Sequence, residues 1–132
     1  MDLIKYFYNM VFYKNIILNN DTLRKKIKNR DFYKIEDWDV GNVDDMSNLF
    51  KDNKNFNHDI SKWNVSNVVN MENMFYGCIK FNCDLDNWNV GKVKNMRYMF
   101  FNCIEFINNN NIDNWDINVG ANTENIFLVE GV

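Results

Sequence analysis

Apolar residues in this chain return at a fixed step. Val68, Met71, Met74, Phe75, Cys78 and Phe81 are answered 25 residues later by Val93, Met96, Met99, Phe100, Cys103 and Phe106. One step earlier stand Val43, Met46, Leu49, Phe50 and Phe56. Trp38, Trp63 and Trp88 keep the same interval, and Trp115 follows after 27 residues. A period of this length marks a repeat architecture in which each unit buries its apolar face against its neighbours. Within a unit, Phe81-Asn82-Cys83-Asp84-Leu85 and Trp88-Asn89-Val90 alternate apolar and polar positions, which predicts short strands. Val68, Met71, Met74 and Phe75 recur at three and four, which predicts a short helix capped by Ser66 or Asn67. Gly77, replaced by Asn102 in the next unit, would stop that helix in a left-handed conformation. The expected fold is an α/β repeat, a solenoid of about four coils with short parallel strands and short helices. Trp38, Trp63, Trp88 and Trp115, with Phe50, Phe75, Phe100, Met46, Met71 and Met96, would form its structural core. Each buried ring removes about 150–250 Å² from water, so ring ladders outweigh any surface ion pair.

The two ends depart from the period. Residues 1–34 read as a helical cap, residues 35–127 as the repeats and residues 128–132 as a tail. Leu3, Phe7, Met10, Val11, Ile17 and Leu18 follow a helical stripe, but Ile4, Tyr6, Tyr8, Phe12, Tyr13 and Ile16 occupy the other sides. A helix apolar all round needs a cover. It would cap the first coil, bind a partner, or lie in a membrane interface. Asp21 is the expected N-cap of a second helix through Leu23 and Ile27. Arg24, Lys25, Lys26, Lys28 and Arg30 cluster on that helix, as a solvated face, a site for an acidic protein, or a contact for phosphate or anionic lipid. No aromatic interleaving or nucleic-acid motif accompanies them, so no nucleic acid is expected. At the far end, Asn108-Asn109-Asn110-Asn111 adds two residues, expected to bulge from the stack. Thr123 replaces the first Met of the unit. Phe127, Leu128 and Val129 are apolar and carry no polar cap, so this edge either meets a partner or a second copy or is covered by its own tail. The residues expected to make contacts are Phe7, Val11, Arg24, Lys25, Lys26, Lys28, Arg30, Phe127, Leu128 and Val129.

Composition changes this picture little. The chain of 132 residues is 46% hydrophobic and 16% aromatic, enough for one domain with a continuous core. Its net charge of −3 divides unevenly, with eight Lys or Arg against three Asp in residues 1–34 and seven against fifteen acids in residues 35–132. A basic end on an acidic body fits head-to-tail contact, an anionic partner, or simply two differently solvated surfaces. Three cysteines do not make a secreted disulfide framework. Lys5 and Lys14 interrupt the N-terminal apolar run, which has no cleavage site and no membrane-span character. A reducing intracellular setting is expected.

No constellation reads as a catalytic centre. Cys78 shares a repeat position with Cys103, and His58 with Cys83, so stacking would bring each pair together. Zinc binding or a Cys78–Cys103 disulfide are conceivable uses, but small buried core thiols are the simpler reading. His58 lies opposite Cys83 in a presumed strand rather than in a cleft, which disfavours thiol catalysis. Asp59 with Asp84, and Asp86 with Asp113, lack the Gly-rich repeat of calcium-binding coils. Phosphate loops, dinucleotide fingerprints, zinc-protease motifs and nucleophile elbows are absent. The expectation is a non-enzyme without cofactor or metal.

The unit Phe56-Asn57-His58-Asp59-Ile60 through Met74-Phe75, with its Trp-Asn-Val and Val-x-x-Met-x-x-Met-Phe runs, resembles the 25–26-residue repeat of the bacterial surface protein family over residues 35–127. That resemblance implies a right-handed, leucine-rich-repeat-like solenoid used for binding or assembly rather than catalysis. Relatives of that kind occur on bacterial surfaces and in large DNA viruses. Without a secretion signal or anchor, the expected role is a structural or assembly protein acting through protein–protein contacts, located in the host cytoplasm or in a virion as a minor capsid component. The alternative is an adhesin-like recognition module that binds a protein partner on its strand face.

Overall fold

The computed structural model describes residues 2–12, 17–110 and 112–131, with the side chains of 8–12 excepted. Among these, regular structure is confined to α1 (Leu3–Phe12), α2 (Asn20–Lys28), a single 3-10 turn (Ile35–Asp37) and α3 (Ile104–Asn109). The expected α/β solenoid is therefore overturned. The described residues contain no strand, only isolated parallel bridges, and no helix lies in the Val-x-x-Met-x-x-Met-Phe run of any unit. The solenoid and leucine-rich-repeat-like descriptions, with their parallel sheet, fall with it.

The helix fails for a local reason. Asn48, Asn73, Tyr98 and Asn125 all take positive φ, between 52° and 58°, in the middle of the apolar run. Asp52, Gly77 and Asn102 are positive again four residues later. A left-handed residue ends a helical turn before a second can form. Successive β-turns result, closed by Met74 N–H to Met71 O (3.2 Å), Tyr76 N–H to Asn73 O (3.1 Å) and Cys78 N–H to Phe75 O (2.9 Å). Turns closed three residues apart keep Met71, Met74, Phe75 and Cys78 on one buried side. The apolar spacing that predicted a helix is thus shared by a run of turns.

The intervening N–H groups reach the following unit. Met71, Asn73, Phe75 and Gly77 donate to the carbonyls of Asn95, Arg97, Met99 and Phe101 at 2.8–2.9 Å. Asp45, Asn70, Asn95 and Asn122 form successive parallel bridges. Each of these side chains also accepts the N–H two residues on, at 2.8–3.1 Å. Asp39, Asn64 and Asn89 do the same after the tryptophans. In a backbone without strands, these Asx turns satisfy the donors that a sheet would otherwise pair.

The core is two aromatic columns. Phe50, Phe75, Phe100 and Phe127 stack at 5.5–5.6 Å between centroids, and Phe56, Phe81 and Phe106 at 5.7 Å. Within each unit the columns touch at 3.9–4.2 Å. The indole N–H of Trp63, Trp88 and Trp115 donates to Ile35 O, Ile60 O and Leu85 O in the preceding unit at 2.8–3.1 Å. Met46, Met71 and Met96 are fully buried. The added residues near Asn108 do not merely bulge: the chain forms α3, which keeps Phe106 in its column, and the bridge from Asn95 to Asn122 resumes the register.

Candidate functional site

The two ends of this stack differ chemically, because the backbone inter-unit hydrogen bonds within the Met-x-x-Met-Phe run point the same way. Along that run each unit donates from its N–H groups to carbonyls of the next unit, while just before it Val69, Lys94 and Asn122 donate back to the carbonyls of Asp44, Val69 and Lys94. From that run the first unit presents carbonyls outward and the last presents N–H groups, beside the carbonyl of Ala121, which has no donor among the described residues.

The carbonyl end is covered at Asp45 and Ser47. Asn19, not Asp21, is the N-cap of α2: its side chain accepts Thr22 N–H at 2.9 Å while Thr22 Oγ1 accepts Asn19 N–H at 2.9 Å. Asp21 stands in the first turn instead. Leu23 and Ile27 enter the core cluster. This places Arg24 over the first unit, where its guanidinium donates to Ser47 O at 2.7 Å and Asp45 O at 3.3 Å. Those carbonyls correspond to Glu72 O and Asn70 O, which in the second unit accept the N–H groups of Asn48 and Met46. Arg24 thus stands in for a preceding unit, and a contact with Asp45 Oδ1 at 3.2 Å fixes it. Burial pushes the Asp45 carboxyl up, but Ser47 and Arg24 outweigh this and hold it below the usual carboxylate range. Asn20 Nδ2 donates to Asp44 Oδ1, and its Oδ1 accepts Asp44 N–H.

The N–H end is uncovered among the described residues. Thr123, Asn125, Phe127 and Val129 occupy the positions of Met96, Tyr98, Phe100 and Asn102, whose N–H groups bond to Asn122, Glu124, Ile126 and Leu128 at 2.8–3.0 Å. Their own N–H groups have no acceptor among the described residues. Phe127 closes its column at 41% exposure, Leu128 is 45% exposed and Val119 is fully exposed. Residues 128–131 do not fold over this edge as a lid. Leu128 O accepts from Asn102, and Glu130 N–H donates to Asn102 Oδ1, so the tail continues the last unit.

The other contact candidates scatter. Phe7 is exposed on α1 with Leu3 and Ile4, and the Val11 side chain lies outside the described residues. Lys25, Lys28 and Arg30 are exposed, whereas Lys26 pairs with Asp31 at 2.8 Å and sits 5.0 Å over the Trp38 ring. Arg24 is committed to the cap, so the basic cluster does not act as one surface. Val129 is half-buried at the open edge. Sequence reasoning missed the capping role of Arg24 and Asn20, for which no local motif exists. It also missed the free donors, although recurrent Asn at 48, 73 and 125 signals left-handed turns.

The three cysteines are free and buried. The thiols of Cys78 and Cys103 lie 2.9 and 2.7 Å from Phe50 O and Phe75 O. Burial pushes both thiols up, Cys103 to about 12. Cys83, beside a polar hollow lined by Asp59, Ser61 and Asp84, is raised by burial to about 11. His58 packs against Phe32 and Phe56, at 4.8 and 5.5 Å between centroids. No helix among the described residues is long and apolar enough to cross a membrane.

No curated protein matches this chain, and no solved structure does. A family model matches residues 8–130, which takes in α2, its Arg24 cap and all the repeating units. The chain therefore belongs to the family described as Mycoplasma protein of unknown function, DUF285.

Proposed function

We propose that this protein is a non-enzymatic assembly protein whose working surface is the N–H end of the stack. One observation carries the reading: four backbone donors and the apolar Phe127 and Leu128 share an edge with no partner among the described residues, while Arg24 and α2 cover the opposite end. Unpaired ladder edges are templates for another chain, and folded proteins normally blunt them. Buried thiols, and a histidine packed against Phe32 and Phe56 away from them, support a role without catalysis. Recognition on a strand face has no surface to use, since no strand forms among the described residues. The particle-bound version of the role draws no support from a family whose description names a bacterial genus. A photocrosslinking residue at Leu128, introduced in the native source, is expected to yield a discrete adduct, and one at exposed Lys62 is not. Equal labelling from both positions would remove the reading.

A further inference from the structure

The contact reading leaves the partner's chemistry open, and the hydrogen-bond polarity narrows it. A second copy of this chain does not fit. Two such ends brought together place the N–H groups of Thr123, Asn125, Phe127 and Val129 against the same donors, and Ala121 O cannot pair them all. Head-to-tail addition needs the carbonyls of Asp45 and Ser47, which Arg24 already occupies at 3.3 and 2.7 Å, and is left with those of Leu49 and Lys51 beside a hollow bordered by Ile27 and Lys28 of α2 and by Arg30. An amphipathic helix satisfies its own carbonyls and could cover Phe127 but not the donors. The successive unit contacts inside the chain show what does fit. There, alternate N–H groups meet alternate carbonyls at 2.7–3.0 Å, and a phenyl ring lies 5.5–5.6 Å over the next. The edge at residues 122–129 continues that established interface.

Resting on the contact reading, the geometry points to a partner polypeptide other than this chain. It lays a segment parallel to residues 122–129 as one more unit, supplying backbone carbonyls at alternate residues and a flat apolar side chain over Phe127. Assembly is then one-sided: the chain accepts a partner at one end and does not polymerise.

A synthetic peptide with the sequence of residues 63–82 is the probe, because it holds the acceptor positions Asn70, Glu72, Met74 and Tyr76 and the ring of Phe75. It is titrated into the full chain beside a scrambled peptide. Saturation at one peptide per chain is expected, with exchange of the Thr123, Asn125, Phe127 and Val129 amides slowed by about tenfold or more. Phe127→Ala removes the ring and Val129→Pro removes one donor. Each is expected to melt cooperatively within several degrees of wild type and to weaken binding by about tenfold. The chain alone is expected to sediment as a monomer at about 100 μM. Three results overturn the inference: no amide protection at about 1 mM peptide, equal protection by the scrambled sequence, or self-association that protects these same amides. If the peptide fails while crosslinks from Leu128 persist in the native source, the partner's chemistry is wrong and the contact reading stands. If the crosslinks fail too, both fall.

Discussion

At the scale of single residues, the fold turns on which side chains accept a left-handed backbone. Gly77 has φ of 75°, and a Cβ there would lie 2.8 Å from Asp52 Oδ1. Gly77→Ala is expected to cost about 1–3 kcal/mol in urea unfolding. Tyr98, with φ of 53° where neighbouring units use Asn, is the least natural occupant of its position. The cysteines make a second residue-scale prediction. A thiol raised to about 11 or about 12 by burial is almost wholly protonated at neutral pH. All three thiols are expected to react slowly with a disulfide reagent in the folded chain and fast in denaturant. A native thiol labelled as fast as in the unfolded state would contradict the burial. The buried apolar positions were legible in the sequence because their spacing is strict. The backbone joining them was not, since apolar positions three and four apart fit a helix and a run of turns equally. Only the recurrent Asn pointed to turns.

At the scale of elements, α2 was legible and its work was not. Leu23 and Ile27 announce its buried face, but Asp21 and Asn19 are both good caps, and the reciprocal bond with Thr22 decides for Asn19. Asn19→Ala is expected to lower stability by about 1 kcal/mol. The same element carries a pH dependence. Asp31 is held below the usual range chiefly by its hydrogen bond from Lys26, which outweighs a modest burial penalty, and Asp45 by Ser47 and Arg24 against burial. Asp59 is held down by the Ser61 hydroxyl and N–H. A carboxyl with its folded pKa below the unfolded value near 3.9 contributes stability that is complete above that value. The contribution is lost as pH falls through the lower folded value. Melting temperature is therefore expected to hold from pH 7 to about 5 and to fall below about 4. Asp45→Asn is expected to flatten part of that acid limb. A melting temperature rising into acid would show that these carboxylates destabilise the fold.

At the scale of the whole molecule, the aromatic columns make every unit depend on its neighbours, and this sets how damage is graded along the chain. Phe75 is fully buried, lies 5.5 Å from Phe50 and from Phe100, and touches Phe81 at 4.2 Å. Phe127 has one ring contact among the described residues, Phe100 at 5.6 Å, and is 41% exposed. Truncating an enclosed ring leaves a cavity that the surrounding rings cannot fill, whereas a terminal ring leaves a gap open to water. Phe75→Ala is expected to cost about 3–5 kcal/mol, a large share of the roughly 5–15 kcal/mol of an ordinary domain. Phe127→Ala is expected to cost no more than about 1 kcal/mol. Between them, the mixed ladder of Arg97 with Glu72 at 3.7 Å and Glu124 at 2.9 Å ties the last three units together, but such half-exposed pairs add little. Hydrogen exchange gives the decisive comparison. Amides bonded between units, such as Phe75 to Met99, are expected to open only with global unfolding, and those of residues 122–129 through local fraying. Uniform protection up to residue 129 would mean that the last unit is as enclosed as the second and that the exposed edge is not an edge at all.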